Sequence, residues 1–363
     1  MGLRPIALVI LALCLVACSA TSQGPAASSS RIAAPAQAAD LRTHLDLLFG
    51  EHVMIVTKVT ISASTETQTL IPYARLLDVN ANDLALEIRR AFGNRSAEEF
   101  YQAWGNVNRD LLEYGTGLVV HDQNMADKFS SHLSSVTVPA FSQFLSNLAG
   151  LNLDRQISAQ ASATKTVIED AAGQSYPKMY DDTRVASGLA VALGDALARR
   201  MVQRFPDKFP GDSSTQSVDL RVKVSGLLQE HAYLSTMASD AQINARNADK
   251  VGATAALATN VDAIAVALHK GDAAFKQVWA DRVVALDAYA AGGDAESRQA
   301  LSEAFVQQLS SRTGIPSGSI ADQVNATIKV IDDQRAKSFN SLADDDRSAA
   351  TAMQPVAEAL VQG

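Results

Sequence analysis

Cysteine, proline and aromatic residues are all scarce in this chain, and each shortage removes a class of protein from consideration. Only two cysteines occur in 363 residues, Cys14 and Cys18, both at the extreme N-terminus. Everything after them therefore lacks disulfides and thiolate metal sites. Ten prolines, 6% aromatic residues and almost no alternation of apolar with polar positions leave little to build a sandwich or barrel, while abundant Ala favours helix. Basic residues are outnumbered, 31 Lys and Arg against 39 Asp and Glu, for a formal charge of −8. A nucleic-acid binder would carry a basic patch or stripe instead. There is no Gly-rich phosphate loop, no G-x-S-x-G elbow, no H-E-x-x-H and no cysteine nucleophile, so no enzyme activity is expected.

What is present begins with an export signal. Arg4 precedes an apolar run from Pro5 to Val16 that closes on Leu15-Val16-Ala17-Cys18. The order is that of a secretory signal, and the run is shorter than the roughly 20 residues that span a bilayer. Leu-Val-Ala-Cys resembles the bacterial lipobox, whose Cys is lipidated and becomes the first mature residue. Residues 1–17 are thus expected to be removed, leaving Cys18 as the membrane attachment point. The following Ser19 and Ala20 resemble the pattern of lipoproteins sent to an outer membrane, in an organism that has one. Residues 18–39, rich in Ser, Ala, Gln, Gly and Pro, have the composition of a flexible tether.

Loss of residues 1–17 leaves 363 − 17 = 346 residues and, with Arg4 gone, a charge of −9. That length fits two domains, and the chain shows an internal repeat. Asp40-Leu41-Arg42 matches Asp219-Leu220-Arg221, and Leu47–His52 matches Gly226–His231, at one offset of 179. At 180, Leu77, Asn80, Leu84 and Ile88 fall on Leu257, Asn260, Ile264 and Leu268; at 175, Phe100, Trp104 and Tyr114 fall on Phe275, Trp279 and Tyr289. At 163, Ile168 and Asp170 fall on Ile331 and Asp333, and Asp181–Arg184 on Asp344–Arg347. Pro206, Pro210 and Gly211 break the helical pattern between the halves. The expectation is an all-α protein: a tandem duplication of an antiparallel helical bundle, residues 40–210 and 216–363, with about six helices per repeat. Helices are expected from Leu41 through Val59 and then at roughly 70–91, 96–120, 123–148, 155–173 and 176–205, with shorter third and fourth helices in the second half.

The segments LLFGEH, LLDVNANDLALEIRRAFG, EEFYQAWGNVNRDLLEY, LVVHDQNMADKF and RMVQRFPDKFPGD together resemble a family of exported, mostly helical bacterial lipoproteins of unknown biochemical role. The likeness covers nearly all of Asp40–Asp212 and, more weakly, the second half. Some members carry a copper-amine-oxidase label. The residues here do not support it, lacking both the Asn-Tyr-Asp/Glu cofactor motif and a copper-binding set of His. The resemblance implies a His three residues after the Trp of the third helix, where this chain has Val107 and Arg282.

Candidate chemistry therefore rests on repeated polar residues within apolar stripes. Glu51-His52 and Glu230-His231 lie on the first helix of each half, Asn80 and Asn260 on the second, Asp182 and Asp345 on the last. One reading is a His/Asn/carboxylate site in each bundle for a small polar ligand or a divalent metal; the other is a hydrogen-bond network that fixes helix register. Trp104, Tyr114, Trp279 and Tyr289 read as core, and the unrepeated His44, His121, His132 and His269 as surface. Function is read as non-catalytic ligand or metal binding on a membrane-anchored extracytoplasmic protein, or alternatively as a structural or interaction role with another envelope protein.

Overall fold

The computed structural model describes residues 38–65, 67–269 and 272–362, and within them every regular element is helical. The first half comprises α1 (Ala38–Thr65), α2 (Thr67–Phe92), α3 (Asn94–Val119), α4 (Gln123–His132), a π-turn (Leu133–Thr137), α5 (Val138–Ala149), α6 (Asp154–Ala172) and α7 (Tyr176–Arg204). The second has α8 (Gln216–Ile243), α9 (Asn247–Ala267), α10 (Ala273–Gly292), α11 (Ala295–Gln299), a π-turn (Ala300–Phe305), α12 (Val306–Thr313), α13 (Ser317–Ala336), α14 (Phe339–Thr351) and α15 (Met353–Gln362). The first helix starts at Ala38, taking in the last two residues of the expected tether; the expected signal segment and Cys18 lie outside the described residues.

The fourth helix of each half runs on through a π-turn, over 123–149 in the first half where 123–148 was expected. In the first half the cause is local: Asp110 on α3, fully buried, accepts from the Thr137 hydroxyl and lies 2.6 Å from His132 Nδ1. The extra residue of the π-turn brings both partners to that carboxylate. His132, at the surface with 42% of its side chain exposed, is thus tied to a buried acid. His121 and His269 end α3 and α9 in the left-handed conformation, at φ 59° and 53°, positions more often given to Gly.

By length and hydropathy α1 could cross a bilayer, yet 78% of its most apolar window is buried within the fold. It packs on α2, α3, α6 and α7 and also on α8 of the other half. Each half has its own core, with Phe49, Phe100, Trp104 and Phe141 central in one and Trp279, Phe275 and Phe305 in the other. The cores interlock. Met54 packs into the second cluster, while Leu234, Met237, Leu257 and Leu342 belong to the first.

The join between the halves is reciprocal. Arg42 bonds Asp219 at 2.6 Å while Arg221 bonds Asp40 at 2.7 Å. Glu51 takes Arg347 at 2.9 Å, and Glu230 takes Arg184 at 2.9 Å. Every member of these pairs corresponds to its counterpart at offset 179 or 163, so residue i meets j′ and i′ meets j, as across a two-fold axis. Helix contacts follow the same exchange: α7 packs on α9 and α14 on α2. Between them Asp346, 1% exposed, accepts from Lys58 at 2.6 Å, Thr236 at 2.7 Å and Tyr73 at 3.0 Å.

Breaking such a pair from one side leaves a charge stranded in the interior. Arg347→Met is expected to cost about 3 kcal/mol in chemical denaturation. Adding Glu51→Gln should restore more than half of it. A double variant no more stable than Arg347→Met would show that the pair adds nothing to the join.

Candidate functional site

In the first half Asn80 reaches from α2 to α1, donating to the Leu48 carbonyl at 2.9 Å and to Glu51 at 2.8 Å. Glu51 also accepts from Tyr233 at 2.9 Å and from Nε and Nη2 of Arg347, so its carboxylate is held by both halves. His52 is fully buried beside Trp104, their rings 4.6 Å apart, and its Nε2 lies 2.8 Å from Asn108 Oδ1. With Asn108 accepting, Nε2 carries the ring proton. Nδ1 of His52 and Oδ1 of Asn80 have no protein partner.

The second half repeats the arrangement with one change. Asn260 donates to the Leu227 carbonyl at 2.9 Å and to Glu230 at 2.8 Å, and its Oδ1 faces His231 Nδ1 at 3.0 Å. Arg282, 1% exposed, donates from Nη1 to His231 Nε2 at 2.9 Å and to Ser235 at 3.0 Å. Both ring nitrogens of His231 are therefore engaged, Nδ1 as donor and Nε2 as acceptor. Burial and the adjacent guanidinium hold its pKa well below 6.5, and burial lowers Arg282 to about 9. Where the family resemblance implied a His, the second half has a cation already seated against the imidazole.

Asp182 and Asp345 do not join these sets. They face outward, Asp182 bonding Lys178 at 2.6 Å beside Asp170, and Asp345 bonding Lys329 beside Asp333. The acidic runs had placed both on the buried stripe of the last helix, one register position from where they lie. Among the described residues no three His, Cys, Asp or Glu side chains converge as a metal would require. The residues brought together are Glu51 with Asn80, and Glu230 with Asn260 and His231.

A different site lies at the join. A cavity of about 450 Å³ opens between α1, α7 and α8, walled by Leu47, Met54, Val191, Ala192, Val222 and Leu227 and by the bare backbone of Gly50, Gly188 and Gly226. Asp46 borders it, 3% exposed, with neither carboxylate oxygen hydrogen-bonded. Burial, reinforced by Asp195 and opposed by Arg42 and Arg199, lifts the Asp46 pKa to about 8. The carboxyl lies against Gly194 of α7, where a Cβ would stand 2.7 Å from Oδ1. At the positions that match by sequence offset the residues are larger or differently polar: Gln229 for Gly50, Thr351 for Gly188, Tyr233 for Met54 and Ser225 for Asp46.

Asp46 was not singled out from the sequence, because one acid between Leu45 and Leu47 reads as the solvated side of a helix. The available signal was three helical glycines facing one acid across the repeat. No protein-family model, curated protein or solved structure matches this chain.

Two buried groups give opposite pH dependences. Unfolded, the Asp46 carboxyl titrates near about 3.9; folded, at about 8. In that window the folded state keeps a proton that the unfolded chain has released, so stability declines as pH rises from 4 to 8, by up to about 1.4 kcal/mol per unit. His52, desolvated to about 4, works in reverse: its contribution is whole above about 6.5 and is lost as pH falls toward 4. In thermal unfolding across pH 4 to 8, Asp46→Asn should flatten the alkaline decline and His52→Gln the acid one. An unaltered profile for Asp46→Asn would mean that this carboxyl is ionised in the fold.

Proposed function

We propose that this chain is an exported, lipid-anchored protein of the bacterial envelope, built from two copies of one helical unit, that binds a small molecule at the join and performs no chemistry on it. The observation that carries this reading is the apolar cavity bordered by an unpaired buried acid. Its volume of about 450 Å³ falls within the range of small-ligand sites, which combine apolar walls with a few polar groups. Neither His nor Cys lines it, and its arginines are engaged with carboxylates. Its one hydroxyl, Ser187, has no hydrogen-bond partner, so no base is set against it.

The Glu/Asn/His sets favour the register role over the ligand role. Asn80 and Asn260 each tie two helices together through matching pairs of bonds, and Arg282 occupies the side of His231 that a metal would approach. Attachment to the membrane rests on Leu15-Val16-Ala17-Cys18 and on the likeness to exported lipoproteins; contact with another envelope protein would use the outer faces of the bundles.

Gly188 is the position from which to test the cavity, since a Cβ there meets nothing within 4 Å. Gly188→Leu should fill the space and, by replacing a helical glycine, add about 0.5–1 kcal/mol of stability. Native mass spectrometry of the exported chain should find one small-molecule adduct, missing from Gly188→Leu. Bare masses for both, with no shift in melting temperature across a small-molecule panel, would overturn the reading. Separately, Cys18→Ala should move the chain from the membrane to the soluble fraction.

A further inference from the structure

The wall of the cavity distributes its hydrogen-bond donors unevenly. Asp195 is bonded by Arg42 and by Arg199 at 2.9 Å, and Asp219 by Arg42 at 2.6 Å. Glu230 has Arg184 at 2.9 Å and Asn260 at 2.8 Å. Asp46 alone receives nothing on either oxygen, although it is the most deeply buried of the four acids. No cation hydrogen-bonds it: Arg42 and Arg199 bond Asp195 and Asp219, although Arg199 Nε is buried without a partner, Arg184 bonds Glu230, and Lys223 is exposed at the rim. A buried polar group without a partner costs on the order of 1–3 kcal/mol. The chain keeps two here, Asp46 and the Ser187 hydroxyl, beside open space.

A neutral group that only accepts, such as a ketone or ether, could use the hydroxyl of a protonated Asp46 but would leave its carbonyl oxygen bare. A group with several N–H donors and a positive charge meets both oxygens at once, and such charge-assisted bonds are the strong ones. We propose that the cavity binds an organic ammonium: the cationic head on Asp46, and an apolar body along Leu47, Met54, Val191, Val222 and Leu227. This rests on the reading of the cavity as the ligand site and adds the ligand's class.

The exchange balances. The O–H bond of the Asp46 carboxyl breaks, its proton passes to solvent, and the ammonium takes its place as counter-charge. Because the folded carboxyl holds its proton up to about pH 8, binding below that pH must release close to one proton. Affinity should then rise about ten-fold per pH unit until Asp46 is ionised. The charged groups facing Asp46 are Arg42 on α1, Arg184, Asp195 and Arg199 on α7, and Asp219, Lys223 and Glu230 on α8, and all but Lys223 are held in ion pairs.

Isothermal calorimetry on residues 19–363, which retain every described helix, would use octylamine with octanol and octanamide as neutral counterparts, in buffers of different ionisation enthalpy at pH 6 to 8.5. Octylamine is expected to bind one per chain, at least ten-fold tighter than either counterpart at pH 8, with about one proton released at pH 6.5. Asp46→Asn should abolish the proton release and the preference while keeping octanol binding, and Gly188→Leu should abolish all three. Octanamide matching octylamine, or octylamine binding with no proton release, would overturn the ammonium proposal while leaving the cavity as a site. Octylamine binding undiminished in Gly188→Leu would place the amine elsewhere and overturn it too. No binding by any of the three would remove the ammonium and, with the native-mass result also bare, the cavity reading itself.

Discussion

The structure depends on carboxylates that one half supplies and the other half satisfies. Glu51 sits on the central helix of the first half at 3% exposure, a position where an unpaired charge would be intolerable. Four donor atoms hold it, one from Asn80 and three from Tyr233 and Arg347 across the join. Glu230 depends on Arg184 in the same manner. Neither half can complete its own core helix, so the two assemble as one body.

A join of this kind contributes more to specificity than to raw stability. Replacing buried ion pairs with apolar groups is often neutral or stabilising, whereas mismatching them is costly. The Lys58–Asp346 pair, with Tyr73 and Thr236 around it, and the Tyr180–Asp249 bond at 2.7 Å, beside Arg246, extend the polar join from end to end. Sliding one half along the other by one turn would break all of these together. That all-or-none penalty explains how Ala-rich helices, whose smooth surfaces allow many packings, settle on one.

Much of this was legible in the residues. Helix spans followed from three-and-four spacing because each helix buries one face against its own neighbours, a local property that the chain displays directly. Asn80 and Asn260 beside the glutamates were legible because the repeat marks them twice. Asp182 and Asp345 were misplaced because an acidic run at a helix start does not reveal which of its members faces inward, and Lys178 and Lys329 draw these two out. Asp46 and its cavity were illegible for a different reason. Its burial is made by α7 and α8, more than a hundred residues away, and glycines such as Gly188 and Gly194 acquire meaning only when the helices meet.

The difference between the two sides of the join has a consequence for counting. A symmetric dimer of identical subunits must repeat every feature, so any cavity beside its axis comes in twos. Here both units lie on one chain, and each position can change alone: Gly50 opposite Gln229, Gly188 against Thr351, Met54 against Tyr233. Gly50 and Gly188 leave their helices bare at the cavity, where the residues that match them, Gln229 and Thr351, carry longer side chains. This cavity therefore need not have a counterpart in the other half, and with one ligand in it occupancy should follow a simple hyperbola rather than a cooperative curve.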